Sequence, residues 1–278
     1  MTVRIVLTGA TGKVGSRVSR RLLGQGHSVV ALVRRDEAAQ EVRRLGAEPA
    51  LGDLRQPETL RSVVARAEAV LHFAAFFRGA TEAEARAVNL DGTVALARAC
   101  VAAGVPRLLF ASTTMVYGPP RERPAGEDDP VAPTGVYPAS KAEAEHVLLA
   151  VPGLVVHVLR LAFVYGDGDS HLAEALPFWR KMEAGERIQL VHHADVAQAF
   201  VRALGEPGAR TGRIYNVADD APTTVGEILQ TLGEEPSPEA AAPAGAWGAI
   251  ADTTRIRAEL NFRPSIPTLW AAREAGAL

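Results

Sequence analysis

Two short motifs contain residues whose types and spacing suit chemistry at a carbon–oxygen bond. In the first, Tyr137-Pro138-Ala139-Ser140-Lys141, a phenol and an ammonium stand four residues apart and therefore share one face of a helix. Pro138 is tolerated in a first helical turn, so Tyr137 is expected at the mouth of that helix, facing a cleft. We interpret the pair as a proton-transfer device; the alternative is a surface pair with no role in chemistry.

A role in proton transfer near neutral pH requires a phenol with a lower pKa than that of a free tyrosine. A free tyrosine has a pKa of about 10, which is too high for a base near neutral pH. Lowering the pKa of Tyr137 toward 7 requires roughly 4 kcal/mol of preferential stabilisation of the phenolate. The ammonium of Lys141 and the positive ring of an oxidised nicotinamide could together supply this, so we expect the pKa of Tyr137 to be lowered.

The second motif, Gly9-Ala10-Thr11-Gly12-Lys13-Val14-Gly15, lies about 120 residues earlier, between a predicted strand and a predicted helix. In this setting Gly9 permits a tight turn, Gly12 lets backbone N–H groups approach a pyrophosphate, and Gly15 lets the helix pack on the strand. The helix N-terminus adds partial positive charge for the anion. The spacing differs from Gly-x-Gly-x-x-Gly, so a glycine-rich turn without a ligand stays an alternative.

The end of the second predicted strand bears on which nicotinamide cofactor binds. Val33 stands where NAD-binding units usually place an acid for the ribose 2′-hydroxyl, and two arginines follow it. An arginine there suits a 2′-phosphate, so the sequence favours NADP over NAD, with Arg34 and Arg35 as ligands. In the alternative, both arginines are solvated and Asp36 or Glu37 takes the role of the acid.

Short apolar runs alternate with amphipathic segments, which predicts an α/β fold with a doubly wound parallel sheet of the Rossmann type. Predicted strands are 4–8, 28–33, 69–74, 108–112, 154–161 and 188–191, and predicted helices are 13–24, 57–66, 82–103, 138–150, 194–204 and 224–231. Residues 1–166, with 188–218 returning to them, are assigned to the Rossmann domain, and 167–187 and 219–278 to a small C-terminal substrate-binding part. Segments 119–133 and 234–248 are predicted loops, the first placed where a lid could sit.

The bulk composition excludes several classes of protein. The 278 residues carry 30 basic and 32 acidic side chains, which gives no reason to expect nucleic acid or an anionic membrane as a partner. No apolar run approaches the roughly 20 residues that span a bilayer. The single cysteine, Cys100, fits a cytoplasmic protein without disulfides and is expected to be a small buried hydrophobe. The assembly state stays open, with a homodimer as one candidate.

Ordered matches through most of the chain resemble the extended short-chain dehydrogenase/reductase family, in its NAD-dependent epimerase/dehydratase branch. They are the glycine loop, Gly52-Asp53-Leu54, His72-Phe73-Ala74-Ala75, Asn89-Leu90-Asp91-Gly92-Thr93, residues 112–118, the Tyr137/Lys141 pair, Leu159-Arg160, Val164-Tyr165-Gly166 and residues 191–196. Together with the arguments above, the resemblance implies these cofactor contacts: Gly9, Thr11, Gly12, Lys13, Val14, Gly15, Arg34, Arg35, Asp53, Leu54, Phe73, Ala74, Ala75, Tyr137 and Lys141. Asp53 would face the adenine amino group; alternatively it only caps a turn.

The resemblance also implies roles for the catalytic candidates. Tyr137 exchanges a proton with the substrate oxygen, and Lys141 additionally hydrogen-bonds the nicotinamide ribose. Thr113 orients the substrate oxygen, and Thr114 or Ser112 substitutes for it if the strand register is shifted by one residue.

Other polar residues receive separate interpretations. Asn89 matches a family asparagine near the proton path and is a further catalytic candidate. His72 lies in an apolar strand, where a satisfied core histidine is expected rather than a ligand. His192, His193 and Asp195 suggest a metal site, but adjacent histidines in a strand point to opposite faces, so no metal is expected.

Two departures from the family pattern bear on the substrate. Phe163 stands where nucleotide-sugar epimerases of this type carry an asparagine before Val-Tyr-Gly, and Ile188 stands where they commonly carry an arginine. Both changes remove polar groups expected to grip a nucleotide diphosphate, while Phe76 and Phe77 add apolar surface near the nicotinamide. The sequence therefore favours a smaller or less charged carbonyl compound or alcohol as the substrate over a nucleotide sugar.

Three functions remain as alternatives. The first is an NAD(P)-dependent oxidoreductase that transfers hydride at a carbinol or carbonyl carbon, with Tyr137 as acid and base. The second is a sugar or nucleotide-sugar epimerase/dehydratase that holds NAD tightly and returns the hydride to the same substrate. The third is a non-catalytic NADP sensor, which the set Thr113, Tyr137 and Lys141 argues against, because a sensor has no use for a tuned phenol. Net consumption of NADPH separates the first from the second.

Overall fold

The computed structural model describes residues 2–77, 79, 81–119, 121–205, 212–235 and 250–278. Its strands are β1 (Arg4–Thr8), β2 (Ser28–Val33), β3 (Glu48–Leu51), β4 (Ala69–His72), β5 (Arg107–Thr113), β6 (Val155–Leu161), β7 (Phe163–Tyr165), β8 (Arg187–Ile188), β9 (Leu190–His192), β10 (Arg213–Val217) and β11 (Thr223–Thr224). Its helices are α1 (Lys13–Gly24), α2 (Asp36–Arg44), α3 (Pro57–Val64), α4 (Glu82–Ala85), α5 (Gly92–Ala103), α6 (Val136–Leu149), α7 (His171–Glu174), α8 (Leu176–Trp179), α9 (His193–Leu204), α10 (Val225–Thr231), α11 (Thr254–Leu260) and α12 (Leu269–Glu274). A π-helical turn, Arg86–Asp91, joins α4 to α5, and a 3-10 turn, Thr114–Tyr117, follows β5.

Seven of the described strands form one parallel sheet in the order β10-β6-β5-β4-β1-β2-β3. Successive strand residues point to opposite faces, so Ile5 and Leu7 enter one core while Val6 enters the other. Helices α1, α2 and α9 contribute to the first core, and α3, α5 and α6 to the second. The predicted doubly wound fold is confirmed.

The strand order reverses direction at β1, which lies between β2 and β4. Ligands of doubly wound sheets bind outside the carboxyl ends of the strands at such a switch point. The glycine loop leaves β1 at this end, and the segments after β2, β3 and β4 surround it. The topology therefore gathers the predicted cofactor residues into one place.

The predicted strand 188–191 is present as two short strands, but neither joins the parallel main sheet. Ile188 lies in β8, which pairs with β11, and Val191 lies in β9, which pairs with β7. Ile188 and Leu190 enter a third, smaller core, whereas Val191 enters the first core of the main sheet. The sheet edge is instead occupied by β10, which pairs with β6 and was not among the predicted strands.

Smaller differences concern strand ends and loops. Strand β4 ends at His72, two residues earlier than predicted, and α2 was not predicted. The predicted loop 119–133 is tied to the sheet edge, since Glu127 Oε1 accepts a hydrogen bond of 2.9 Å from the backbone N–H of Asn216. The predicted loop 234–248 falls mostly outside the described residues. In the part of the chain that the structure covers, no helix is long and apolar enough to cross a membrane.

Candidate active site

The backbone of the glycine loop has the geometry of a phosphate cradle. Gly9 has a φ of +74°, and a Cβ there would lie 2.7 Å from the backbone nitrogen of Ala74. A Cβ on Gly15 would lie 2.1 Å from the carbonyl oxygen of Gly9, so helix and strand meet only if this residue has no side chain. Helix α1 begins after Gly12 with no side-chain cap and no acid in its first turn. Its first N–H groups therefore suit an anion.

A cleft of about 290 Å³ opens beside this loop. Most of the predicted cofactor contacts line it: Gly9, Thr11, Gly12, Arg34, Arg35, Asp53, Leu54, Phe73, Ala74 and Ala75. Lys13, Val14 and Gly15 follow the loop in α1 and are not part of that lining. A wider surface groove of about 850 Å³ between α1, α9 and α11 lies apart from all of these residues.

The end of β2 brings two arginines to the wall of the cleft. Val33 is buried at the end of β2, and the exposed Arg34 and Arg35 follow it at the cleft wall. Asp36 and Glu37 lie in the first turn of α2 and do not line the cleft. The geometry therefore places positive charge, and not an acid, beside the position expected for the adenosine ribose.

Asp53 lines the same cleft but already has partners. Its Oδ1 accepts a hydrogen bond from the backbone N–H of Arg55 at 2.9 Å, and its Oδ2 accepts one from the Arg55 guanidinium at 2.6 Å. The hydrogen bond from the Arg55 side chain, opposed by burial, lowers the pKa of Asp53. The turn-capping alternative is thus present in the structure, with the carboxylate still at the cleft wall.

His72 is a satisfied core histidine, as predicted. Its Nδ1 lies 2.6 Å from Thr8 Oγ1, and its Nε2 lies 2.8 Å from Thr93 Oγ1. Thr93 donates its own proton to the carbonyl of Asn89, so the Nε2 of His72 is the donor of its pair. Burial lowers the pKa of His72 to about 3, and the charge of Lys141 adds to this effect.

Tyr137 and Lys141 lie on the first turns of α6, which begins at Val136, so Pro138 is in the first turn as predicted. Lys141 is 1% exposed, and its Nζ donates a hydrogen bond of 2.9 Å to the carbonyl of Ala111. The same Nζ lies 5.9 Å from the centre of the Tyr137 ring. One face of one helix therefore presents both groups beside the carboxyl end of β5.

Burial dominates the acidities of the pair in the protein alone. It raises the pKa of Tyr137 above its ordinary value, and the lowering expected from Lys141 together with an oxidised nicotinamide ring stays a prediction. Burial also lowers the pKa of Lys141 to about 7, and the nearby Glu145 opposes that shift. In the protein alone the lysine does not offset the effect of burial on Tyr137, because its Nζ donates to the carbonyl of Ala111 and burial disfavours its charged form.

The three candidate hydroxyl groups at the end of β5 have separate environments. Ser112 donates a hydrogen bond to the buried Glu145, which is paired with Arg160 at 2.7 Å. Thr113 Oγ1 accepts a hydrogen bond of 3.2 Å from the backbone N–H of Met115 and caps the 3-10 turn, in which Thr114 lies. Because Ser112 is occupied by Glu145, Thr113 stays the better candidate for contact with a substrate.

Asn89 lies in the π-helical turn and is fully buried. Its Oδ1 accepts a hydrogen bond of 2.7 Å from the Phe76 backbone N–H, and its Nδ2 donates to the Phe76 carbonyl and to Ser140 Oγ, both at 2.9 Å. These bonds tie the segment after β4 to helix α6. Asn89 therefore acts on the geometry around Tyr137, and a direct role in proton transfer stays a prediction.

His192, His193 and Asp195, for which no metal was expected, make other contacts. His192 Nδ1 accepts a hydrogen bond of 3.1 Å from the Ala194 backbone N–H, and His193 Nε2 lies 2.6 Å from Asp169 Oδ2. Asp195 accepts hydrogen bonds from the backbone N–H groups of Ser265 and Ile266. Within the described residues, no group of three or more potential ligands is arranged for a metal ion. Cys100 is fully buried, as expected.

Sequence reasoning missed one residue on the substrate side, His171. This residue begins α7, and its ring stacks on Phe163 with the centroids 4.2 Å apart. On the other side it approaches Phe77 at 6.1 Å, and Phe77 meets Tyr137 edge to face at 4.8 Å. Only the departure at Phe163 pointed to this region, since a lone histidine in a polar segment carries no pattern.

An ion pair joins the start of α1 to the substrate side. Lys13 Nζ lies 2.7 Å from Glu174 Oε1 and 2.8 Å from Ser170 Oγ. Lys13 thus contacts α7 and the residue before it, and its contact with the cofactor stays a prediction.

The fold and this site define a class of protein: a dinucleotide-binding α/β enzyme with a tyrosine–lysine pair at the carboxyl ends of its sheet. The chain belongs to the NAD dependent epimerase/dehydratase family, whose profile matches residues 5–218. The resemblance inferred from the sequence is confirmed.

The relatives comprise both reductases and epimerases. A 4-hydroxy-2-methyl-3-oxo-4-farnesyl-3,4-dihydroquinoline-1-oxide ketoreductase from Stigmatella aurantiaca is 33% identical in an alignment 246 positions long that covers 84% of this chain and 73% of that protein. A UDP-glucose 4-epimerase from Streptomyces lividans is 29% identical in an alignment 317 positions long, gaps included, that covers 99% of this chain and 95% of that protein. The solved UDP-glucose 4-epimerase of Thermus thermophilus, in complex with NAD, aligns with a TM-score of 0.77 at 27% identity and covers 99% of this chain and 100% of its own. The chain is therefore an NAD(P)-dependent oxidoreductase or epimerase/dehydratase.

Proposed function

We propose that the protein is an NADP(H)-dependent reductase that converts a carbonyl group to an alcohol. The observation that carries this proposal is the position of Tyr137, which lies one helical turn before Lys141. Its ring contacts the exposed Phe77, which follows the cleft-lining residue Phe76 in the chain. The glycine loop beside the cleft fits a dinucleotide, since Gly9 and Gly15 leave no room for a Cβ and the first turn of α1 is uncapped. When bound, NADPH would supply a hydride to the carbonyl carbon.

In the proposed reaction, Tyr137 donates its proton to the carbonyl oxygen as negative charge develops there. A raised pKa keeps the phenol protonated, which is the form that reduction needs. Thr113 holds the carbonyl oxygen by a hydrogen bond, and Lys141 stabilises the tyrosinate that is left. Asn89 keeps the helix carrying Tyr137 and the segment carrying Phe76 in fixed relation.

The preference for NADP is part of the proposal. It is supported by the exposed Arg34 and Arg35 at the cleft wall and by the buried Val33 in place of an acid. The Stigmatella relative, named a ketoreductase, supports reduction. The division into a Rossmann domain and a substrate-binding part formed by residues 167–187 and 219–278 belongs to the same proposal.

A nucleotide-sugar epimerase with tightly held NAD is the second candidate, because the Streptomyces relative bears that name and spans nearly the whole chain. Two measurements separate the candidates. Calorimetric titration of the purified protein with NADP and NAD should give tighter binding of NADP. Incubation with NADPH and a panel of ketones should consume NADPH, whereas turnover of UDP-glucose without net NADPH consumption, or tighter binding of NAD, would overturn the reductase in favour of the epimerase.

A further inference from the structure

Aromatic rings follow one another from Tyr137 toward the small third core. Phe77 meets the phenol ring at 4.8 Å, and Phe163 stacks on His171 at 4.2 Å with only 18° between the ring planes. The buried Trp179 lies behind Phe163, with centroids 5.0 Å apart. Phe77, Phe163 and His171 are called the aromatic wall below.

The aromatic wall is held in place by contacts outside it. His171 Nδ1 lies 2.9 Å from the carbonyl of Val164, and because a carbonyl only accepts, this nitrogen carries the proton. Trp179 is 1% exposed and donates its Nε1 proton to the carbonyl of Leu172 at 3.0 Å. Phe163 begins β7, which pairs with β9. Ring orientations are thus set before any ligand arrives.

Exposed apolar side chains occur in the aromatic wall and on the segments that carry Thr113 and Tyr137. Phe77 exposes 42% of its surface, Met115 on the turn after β5 exposes 50%, and Val136 beside Tyr137 exposes 40%. Large exposed apolar side chains are typical of a binding surface where they lie together. A phosphate or sugar hydroxyl packed against these groups would lose its hydrogen bonds to water without replacement.

We propose that the substrate carries its carbonyl group on a flat aromatic or conjugated ring system, which packs against the aromatic wall while the carbonyl oxygen reaches Tyr137. This inference rests on the proposed reductase function and adds the substrate class. Rings gain from stacked and edge-to-face contacts with Phe163, His171 and Phe77 beyond what equal apolar area provides. A saturated ring system of similar size buries a similar apolar area but makes no ring–ring contacts.

The test compares two ketones of similar size, 2-acetylnaphthalene and its saturated counterpart 2-acetyldecalin. With NADPH, the aromatic ketone should be reduced with a kcat/KM about tenfold higher. Calorimetry on the NADP-loaded protein, in which no reduction takes place, should show tighter binding of the naphthyl ketone than of the decalin ketone. Equal values, or a preference for the saturated ketone, would overturn the inference and leave the reductase intact. Selective binding of the naphthyl ketone without NADPH consumption would instead contradict the reductase while supporting the aromatic site.

Variants of the aromatic wall test whether its rings cause the preference for the naphthyl ketone. Phe163→Leu and Phe77→Leu should each reduce the preference for the naphthyl ketone severalfold, mainly through KM, since proton donation by Tyr137 is untouched. Phe178→Leu is the matched control, because Phe178 exposes 54% of its surface and its ring packs against Trp179, which is not part of the aromatic wall. Unchanged NADP affinity shows that the variants fold. An unchanged preference in both Phe163→Leu and Phe77→Leu would refute the assignment.

Discussion

The two sides of the cleft are built by different means. The cofactor side depends on backbone geometry, because Gly9 and Gly15 allow contacts of backbone with backbone that any Cβ would block. The substrate side depends on side chains from separate segments, with Phe77 after β4, Phe163 in β7 and His171 in α7. The first can be inferred from a short stretch of residues, whereas the second exists only after the chain has folded.

Charge is also distributed differently on the two sides. Arg34 and Arg35 are exposed at the cofactor side, where the proposed 2′-phosphate would meet them in water. Lys141, on the substrate side, is buried, and this burial lowers its pKa to about 7. Changes on the cofactor side should therefore alter affinity, while changes at the tyrosine–lysine pair should alter chemistry and pH dependence.

The largest expected effect is a loss of catalysis with the affinity for NADP unchanged. Tyr137→Phe removes only the hydroxyl that donates the proton, so ketone reduction should fall by about two to four orders of magnitude. The NADP affinity, measured by calorimetry, should stay within about twofold of the wild type, since the cofactor side is unchanged. Retention of more than a tenth of wild-type activity would remove Tyr137 from its acid–base role.

On the cofactor side, Arg34→Ala should weaken NADP binding about 10- to 150-fold and NAD binding little, through loss of a charge-assisted contact with the 2′-phosphate. Arg44→Ala, an exposed arginine at the end of α2 and away from the cleft, is the control. Arg35 shares the cleft wall, so the double variant of Arg34 and Arg35 is the sharper test. Val33→Asp should shift preference toward NAD. Equal losses for both cofactors in the double variant would contradict the assignment.

Two glycines of the same helix test the backbone argument. Gly15→Ala places a methyl group where only 2.1 Å separates it from Gly9, so it should destabilise the fold by about 1–3 kcal/mol and weaken NADP binding. Gly24→Ala, with no neighbouring atom within 4 Å, should leave both unchanged or raise the free energy of unfolding slightly. Urea unfolding and calorimetry measure the two effects. Similar behaviour of the two variants would show that the close approach at Gly15 is unimportant.

The last prediction concerns the pH dependence that the buried lysine gives to stability. The pKa of Lys141 is about 7 in the folded protein, against about 10.4 for an unfolded lysine. Between these values the unfolded state binds more protons, so this group makes the free energy of unfolding rise with pH, by at most about 1.4 kcal/mol per pH unit. From about pH 7 to about pH 9 the wild type should gain stability relative to Lys141→Met. Urea unfolding at both pH values measures this, with the exposed Lys181→Met as control, and a constant difference would contradict the shift.

Much of the site could be predicted from the sequence because its rules are local. The turn at Gly9, the start of α1 at Lys13 and the shared helix face of Tyr137 and Lys141 each depend on residues within a few positions of one another. The alternation of apolar runs likewise predicted a parallel sheet with two covered faces. These features follow from backbone sterics and periodicity, which operate within one segment.

Only the tertiary structure decided the remaining features. It divided residues 188–191 between two small pairings, placed β10 at the sheet edge, brought His171 onto Phe163, and directed the ammonium of Lys141 to Ala111. The direction of the pKa shift of Tyr137 depends on the same packing, since burial is a property of the folded molecule. Each of these outcomes joins residues far apart in the chain, and their contacts follow from how whole elements pack and not from any local pattern.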